Sequence, residues 1–320
     1  MSYPLDYSRL LKSFPEEWGS NLSKKISNPP NLKTRHSFCM WSDLLAFGRI
    51  YKENNWKLNN NQKSQVYNRL VAAHSAVLYY SKPDERELIL NDGIAKIYMP
   101  EESLFKGRGI LDIALFLRSC VELHMTINQT EKALDYPGCR SVIAFGECIE
   151  YLAEDVKFDD FVMNYSKPQG QSISSIAKHN GNPTILYNPK EFQMNTAFSK
   201  AYILENGGSK TGLPGNNMYI DQSVIDGVIK YATQKGYSYF WQESNTELLF
   251  LIPYEEGNLN EVVLGFAFDK NVIIPKNDSY STKVYTLLKY FPFDEPVDSF
   301  YYDLKSDLRG TSRINSIKDK

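Results

Sequence analysis

The pattern of apolar and polar positions is clearest between Ser37 and Gly48, which read SFCMWSDLLAFG. The segment from Phe38 to Trp41 is apolar throughout, as in a buried β-strand, and Asp43 stands where that strand should end. Four more apolar residues follow the aspartate. We therefore expect the Asp43 carboxylate to lie at the edge of a hydrophobic core rather than in open solvent.

A second stretch, 87–98, reads ELILNDGIAKIY and predicts two short strands joined by a tight turn at Asn91, Asp92 and Gly93. Asp-Gly between apolar runs is a strong hairpin signal, because glycine supplies the positive φ that such turns need. Between the two stretches, 65–80 carries an apolar stripe at helical spacing. A strand, a helix and a hairpin in this order can bring Asp43 beside Asp92, and two carboxylates form a site for a hard divalent cation.

This order of motifs resembles the catalytic domain of the class III nucleotidyl cyclases. In that family the first strand ends in an aspartate followed by two aliphatic residues, a small residue and phenylalanine, and a later hairpin turn carries a second aspartate. A further helix and a strand ending in Gly-Glu come next, as in 111–124 and 139–147 here. The matching site residues are Asp43, Leu44, Leu45, Ala46, Phe47 and Asp92. The resemblance extends over residues 38–221.

The resemblance implies an α+β fold with a ferredoxin-like βαββαβ core and a predominantly antiparallel sheet, followed here by C-terminal α/β additions. It implies a nucleoside triphosphate bound with Mg²⁺ or Mn²⁺ at Asp43 and Asp92, and a homodimer, since family sites form between two domains. If a helix opens at Leu44, the amides of Leu44 to Phe47 would receive phosphate oxygens. Bacterial relatives make cyclic nucleotides for signalling, including in defence against phage.

The family's next helix carries an asparagine and, four residues later, an arginine that stabilises the transferring phosphate. If Asn195 is that asparagine, Ser199 takes the arginine position and Lys200 follows it. If the register is set instead by Ala201 and Glu205, the two positions fall at 199 and 203, and the arginine is again absent. Loss of such a charge raises the barrier by several kcal/mol.

Lys200 and Arg140 are candidate substitutes for the missing arginine, as are Lys106 and Arg108, and no spacing argument selects among them. The family's base-reading lysine is replaced by Leu88, and its base-reading aspartate by 188 or 192. These departures support an alternative function. Asp43 would cap a helix, Asp92 would serve the turn, and the protein would be an inactive pseudoenzyme acting as a regulatory or protein-interaction module.

Composition narrows the remaining possibilities. The net charge of −2 gives no electrostatic case for binding nucleic acid. The N-terminus lacks the apolar core of a secretory signal and no apolar run approaches the length of a membrane span, so we expect a cytoplasmic protein. Four cysteines fall on apolar segments without CxxC spacing, which indicates buried free thiols rather than a zinc site.

The chain divides in sequence into an N-terminal extension, 1–35, a cyclase-like domain, 36–235, and a C-terminal part, 236–320, packed on the core. Residues 158–183 are polar and aperiodic, which indicates a loop insertion. In the C-terminal part we predict strands at 237–252, 262–268 and 272–274 and a helix at 282–291.

Overall fold

A computed structural model describes the backbone of residues 32–102, 109–150, 162–163, 176–179, 182–185, 190–259, 261–276, 280–293, 301–305 and 308–310. The chain forms two compact units, one of residues 1–35 and 148–195 and the other of residues 36–147 and 196–320. Most of the predicted N-terminal extension and of the 158–183 insertion lies outside the described residues, as do Lys106 and Arg108.

The first half of the larger unit has the predicted order of elements. The elements are β1 (Lys33–Leu44), α1 (Arg49–Glu53), α2 (Asn60–Tyr80), β2 (Glu85–Leu90), β3 (Gly93–Tyr98), α3 (Ile110–Ala133) and β4 (Cys139–Glu150). Their strands lie in the order β2-β3-β1-β4, and β3 is antiparallel to both β1 and β2. The predicted α+β class with a ferredoxin-like βαββαβ core is confirmed.

Helices α2 and α3 pack against each other, and their apolar sides form one core with alternate residues of β1. Helix α2 begins five residues earlier than predicted. The side chain of Asn59 accepts a hydrogen bond from the backbone N–H of Gln62, and the Gln62 side chain accepts one from the backbone N–H of Asn59. This capping box satisfies N–H groups at the helix start and so extends the helix back to Asn60.

The smaller unit contains three short antiparallel strands, β5 (Val162–Met163), β6 (Ile176–His179) and β7 (Asn182–Ile185). The larger unit resumes with α4 (Thr196–Thr211), β8 (Met218–Asp221) and α5 (Gln222–Gln234), followed by β9 (Phe240–Glu243), β10 (Glu247–Pro253), β11 (Val262–Asp269) and β12 (Val284–Phe291). These strands extend the sheet beyond β4 in the order β8-β12-β11-β10-β9. Strand β8 is parallel to β4, and the neighbouring strands from β8 to β9 are antiparallel to one another.

The predicted C-terminal helix at 282–291 is wrong, because these residues form β12 between β11 and β8. Both faces of this strand are largely buried, so its apolar residues do not alternate and the period does not distinguish strand from helix. The predicted strand at 272–274 is reduced to a single bridge between Ile273 and Val284. Two short strands, β13 (Tyr301–Asp303) and β14 (Leu308–Gly310), continue from β12.

All four cysteines are buried free thiols, as predicted. Helix α4 extends from Thr196 to Thr211 and has a kink at Gly208. Gly208 has a φ of 52°, a backbone conformation that is strained for residues with a side chain and that glycine adopts freely. A Cβ at 208 would also lie 2.7 Å from the Arg140 guanidinium, so the absence of a side chain there lets Arg140 approach the α4 backbone.

Candidate metal and nucleotide site

The structure brings Asp43 and Asp92 to the same end of the sheet. Asp43 is opposite Gly93 in the antiparallel pairing of β1 with β3, and Asp92 precedes Gly93 in the hairpin turn. The backbone N–H of Leu44 donates to the carbonyl of Asp92 over 3.2 Å. Because this hydrogen bond joins the residue after one aspartate to the other aspartate, the two predicted metal ligands are neighbours.

The electrostatic environment of Asp43 disfavours its charged form. The pKa of Asp43 is raised to about 7, mainly by burial and further by the nearby carboxylates of Glu205 and Asp92, against the opposing effect of Arg140 and Arg69. Several carboxylates held together in a partly buried place repel one another, and a cation among them relieves that repulsion. The pKa shift therefore has a cause that a bound divalent cation would offset.

In the turn between β2 and β3, the residue with a positive φ is not the predicted glycine. Asn91, not Gly93, has the positive φ, at 57°. Gly93 is required for space, since a Cβ there would lie 2.6 Å from the indole ring of Trp41. The Asn91 side-chain amide donates to Asp92 Oδ1 over 3.0 Å, which orients the Asp92 carboxylate.

The predicted helix start at Leu44 is wrong. Strand β1 ends at Leu44, Ala46 adopts a φ of 57°, and α1 begins at Arg49. The amide of Leu45 donates to the Gly138 carbonyl over 2.8 Å, and that of Phe47 donates to the Leu44 carbonyl over 3.3 Å. The phosphate-binding role of Leu44 to Phe47 stays a prediction, and a phosphate there would have to displace or share these hydrogen bonds.

Arg69 of α2 fixes the loop that follows Asp43. Its guanidinium pairs with the buried carboxylate of Glu131, donates to the Leu45 carbonyl over 3.1 Å and lies 4.3 Å from the ring centroid of Tyr136. A cavity of about 610 Å³ beside it is lined by Ala46, Phe47, Arg49, Ile50, Glu53, Gln65, Val66, Arg69, Asp135, Tyr136 and Pro137. The loop conformation next to the aspartates is therefore set by an ion pair between α2 and α3.

Arg140, predicted as a catalytic residue, lies beside the aspartates and is held by Glu205. Its Nη2 lies 2.7 Å from Glu205 Oε1, and its Nη1 donates to the Leu213 carbonyl over 3.3 Å. Glu205 Oε2 also accepts a hydrogen bond from Trp41 Nε1 over 3.3 Å. The catalytic role of Arg140 stays a prediction, and its guanidinium would have to leave Glu205 to reach a phosphate.

Glu205 is the residue of this site whose position sequence reasoning missed. It lies on the apolar stripe of α4 formed by Ala197, Ala201, Leu204 and Gly208. A carboxylate on an apolar helix stripe indicates a buried charge that needs a partner. That signal identifies Glu205 as unusual but does not name Arg140, because the pair joins distant parts of the chain.

The other two predicted catalytic residues have different surroundings. Lys200 Nζ donates to the Phe145 carbonyl over 2.9 Å. Phe145 is five residues beyond Arg140 on β4, about 16 Å along an extended strand. Asn195 belongs to the smaller unit, where its side-chain amide donates to the Glu191 carbonyl over 2.9 Å. Catalytic roles for Lys200 and Asn195 stay predictions, and the structure does not place Lys200 beside the aspartate pair.

The donor set suits one class of metal. Among the residues whose positions the structure describes, no group of three or more histidine, cysteine, aspartate or glutamate side chains is arranged to hold a metal ion. Asp43 and Asp92 supply two carboxylates, and magnesium sites use one or two carboxylates together with water and substrate phosphates. The pair thus fits Mg²⁺ or Mn²⁺ held jointly by protein and nucleotide, and does not fit an all-protein cage.

In the described part of the chain, no helix is both long and apolar enough to cross a membrane. No protein-family model and no curated protein matches the sequence.

Several solved structures are similar to this chain, and three of them are compared with it by identity, coverage and TM-score. The adenylyl cyclase CyaB from P. aeruginosa is 12% identical over 81% of this chain and 96% of that one, with a TM-score of 0.42. The guanylyl cyclase Cya2 is 12% identical over 80% of this chain and 93% of that one, with a TM-score of 0.38. A class III adenylyl cyclase-like ATP-binding protein from Pseudomonas aeruginosa is 14% identical over 66% of this chain and 43% of that one, with a TM-score of 0.37. Identities and TM-scores at this level assign no family to the chain.

Proposed function

We propose that this protein is a divergent nucleotidyl-cyclase-like protein that binds a nucleoside triphosphate together with Mg²⁺ or Mn²⁺ at Asp43 and Asp92. The observation that carries the proposal is the meeting of these two aspartates, one at the end of β1 and the other in the β2–β3 turn. The raised pKa of Asp43 supports it, because a cation would offset the repulsion among the carboxylates.

A divalent cation bound at the two aspartates would lower the pKa of a ribose hydroxyl and neutralise charge on the phosphates. The chain's own residues orient the site. Asn91 holds the Asp92 carboxylate, and Arg69 holds the loop after Asp43. Arg140 supplies positive charge next to Asp43, and Glu205 balances that charge before a nucleotide binds.

Thermal unfolding tests the binding proposal. We expect Mn²⁺ with a nucleoside triphosphate to raise Tm, since a ligand that binds only the folded state stabilises it by mass action. The increase should disappear in Asp43→Ala and remain in Asp226→Asn, which changes an exposed aspartate of α5. If no triphosphate at millimolar concentration changes Tm, the proposed function is wrong.

Product formation separates the two functions that the sequence left open. Mass spectrometry of the four triphosphates after incubation with protein and Mn²⁺ would reveal a cyclic nucleotide made by an active cyclase. Binding without product would favour the pseudoenzyme alternative. The ion pair between Arg140 and Glu205 favours that alternative, because the guanidinium already has an anionic partner. Sedimentation with and without nucleotide tests whether the protein forms the homodimer that the resemblance implies.

A further inference from the structure

Three aromatic side chains pack together beside the two aspartates. The ring centroids of Trp41 and Tyr202 are 5.2 Å apart with an interplanar angle of 84°, and those of Trp41 and Phe198 are 5.7 Å apart at 69°. The rings of Phe198 and Tyr202 are 6.3 Å apart and tilted by 27°. We refer to Trp41, Phe198 and Tyr202 as the aromatic cluster.

Helix α4 positions the cluster over β1. Phe198, Tyr202 and Glu205 are spaced at i, i+4 and i+7 and so lie on one helix face. All three contact Trp41, two through their rings and Glu205 through its hydrogen bond from Nε1. The indole ring also packs against Gly93, where a Cβ would lie 2.6 Å from it. The indole at the centre of the cluster is therefore closely packed.

The cluster and the aspartate pair share one face of the sheet. Trp41 and Asp43 are two residues apart on β1, so their side chains point to the same face, about 7 Å apart along the strand. Across the sheet, Trp41 is opposite Ala95, which is opposite Leu88. The one polar side-chain atom of these three residues, Trp41 Nε1, already donates to Glu205. All three side chains are buried, so an exposed surface for a ligand has to come from the rest of the aromatic cluster.

The cluster is buried at one end and exposed at the other. Trp41 is 6% exposed, whereas Tyr202 is 43% exposed, so one ring of the aromatic cluster faces solvent in the larger unit. An aromatic ring held in this way presents a flat surface at little entropic cost. The exposed ring lies on the same sheet face as the carboxylates that would hold the phosphates through a cation.

We propose that the nucleobase of the bound triphosphate stacks on the Tyr202 side of the aromatic cluster, so that the base is selected by stacking and purines are preferred over pyrimidines. This inference rests on the proposed function, since Asp43 and Asp92 place the phosphates. Stacking on an aromatic ring tolerates any base, because every base has a π-face, and it strengthens with the size of the ring system. The chain would then bind ATP and GTP with similar affinity.

Calorimetric titration in Mn²⁺ tests the inference with ATP, GTP, CTP, UTP and inorganic tripolyphosphate, which lacks a base. We expect the purine triphosphates to bind roughly 5- to 150-fold more tightly than tripolyphosphate, the range that stacking of one base gives. Tyr202→Leu should remove most of that difference and leave the affinity for tripolyphosphate unchanged. Tyr202→Phe should retain the difference. The matched control Tyr79→Leu changes an exposed tyrosine of α2 and should alter neither affinity.

Each contrary result has a separate meaning. Equal binding of ATP and tripolyphosphate to the wild-type protein would overturn base stacking and leave the metal-phosphate site intact. An equal loss of both affinities in Tyr202→Leu would also overturn it, because the tyrosine would then act on the fold. A change in self-association of Tyr202→Leu with an unchanged ratio of affinities would assign the ring to protein contact instead. If neither ATP nor tripolyphosphate binds, the proposed function itself fails.

Discussion

Arg140 Nε and Nη2 both donate to one carboxylate oxygen of Glu205, over 3.0 and 2.7 Å, and so join β4 to α4 next to Asp43. Both side chains are nearly buried. The pair therefore differs from a surface ion pair, whose contribution to stability is small. Pairing with Glu205 also neutralises the positive charge of Arg140, which would otherwise be available to bind a phosphate.

Removing one partner of this pair should destabilise the protein. We expect Glu205→Ala to lower the free energy of unfolding by about 3–5 kcal/mol, because the guanidinium of Arg140 would be left buried without its partner. Glu53→Ala, which breaks the exposed pair with Arg49, is the control and should leave stability nearly unchanged. Urea unfolding measures both. Equal stability of the two variants would contradict a structural role for the pair.

The raised pKa of Asp43 predicts that this residue destabilises the protein at neutral pH. Between its ordinary pKa of 3.8 and about 7, the folded protein holds a proton that the unfolded chain has lost. Stability from this group is therefore present at low pH and decreases as pH rises through that window. Asp43→Asn should be more stable than wild type at pH 8 by up to a few kcal/mol, about 1.4 kcal/mol for each pKa unit.

Urea unfolding in EDTA at pH 5 and pH 8 measures this difference. The advantage of Asp43→Asn should be smaller at pH 5, where the wild-type carboxyl is largely protonated. An advantage that does not change with pH would show that Asp43 has an ordinary pKa in the folded protein. Asp226→Asn, in an exposed position, should show no comparable gain.

The buried side chain of His124 should make stability depend on pH in the direction opposite to that given by Asp43. The imidazole is buried, its Nε2 lies 3.0 Å from the amide nitrogen of Asn128, and its Nδ1 lies 2.8 Å from Ser141 Oγ. An amide nitrogen can only donate, so Nε2 accepts and the ring is neutral with its proton on Nδ1. Burial lowers the pKa of His124 to about 3.

Below its ordinary pKa of 6.5, the unfolded chain gains a proton at His124 that the folded protein does not. Stability should therefore fall as pH decreases from 6.5 towards 3, by up to about 1.4 kcal/mol per pH unit. His124→Gln should flatten this slope. The comparison is best made in the Asp43→Asn background, because Asp43 titrates in the opposite sense. An unchanged slope would show that other groups govern acid unfolding.

Gly93 and Trp41 should show strong energetic coupling. A Cβ at 93 would lie 2.6 Å from the indole ring, so we expect Gly93→Ala to cost about 1–3 kcal/mol through overpacking. Trp41→Phe removes the ring atoms involved and should make the second substitution much less costly. Gly48→Ala is the control, since nothing lies within 4 Å of a Cβ there. Additive effects in the double variant would contradict the contact.

The sequence determined the elements whose signals are local. The apolar run ending at Asp43 and the Asn-Asp-Gly turn gave β1 and the β2–β3 hairpin, and helical spacing gave α2 and α3. The turn also sets the register of β2 with β3, whereas the β2-β3-β1-β4 order and the placement of Asp43 beside Asp92 were expected from the resemblance to the nucleotidyl cyclases. Local pattern thus gave the individual elements, and the resemblance gave their expected arrangement and the predicted metal pair.

Tertiary structure alone decided the features that depend on partners distant in sequence. Residues 284–291 form a strand because β11 and β8 lie on either side of them, and their apolar pattern does not distinguish a buried strand from a helix. The loop after Leu44 is shaped by Gly138 and Arg69 rather than by its own helical propensity. From its position on α4, Glu205 contacts Arg140 of β4 and Trp41 of β1. Such contacts have no local signature, because they arise only when separate elements pack together.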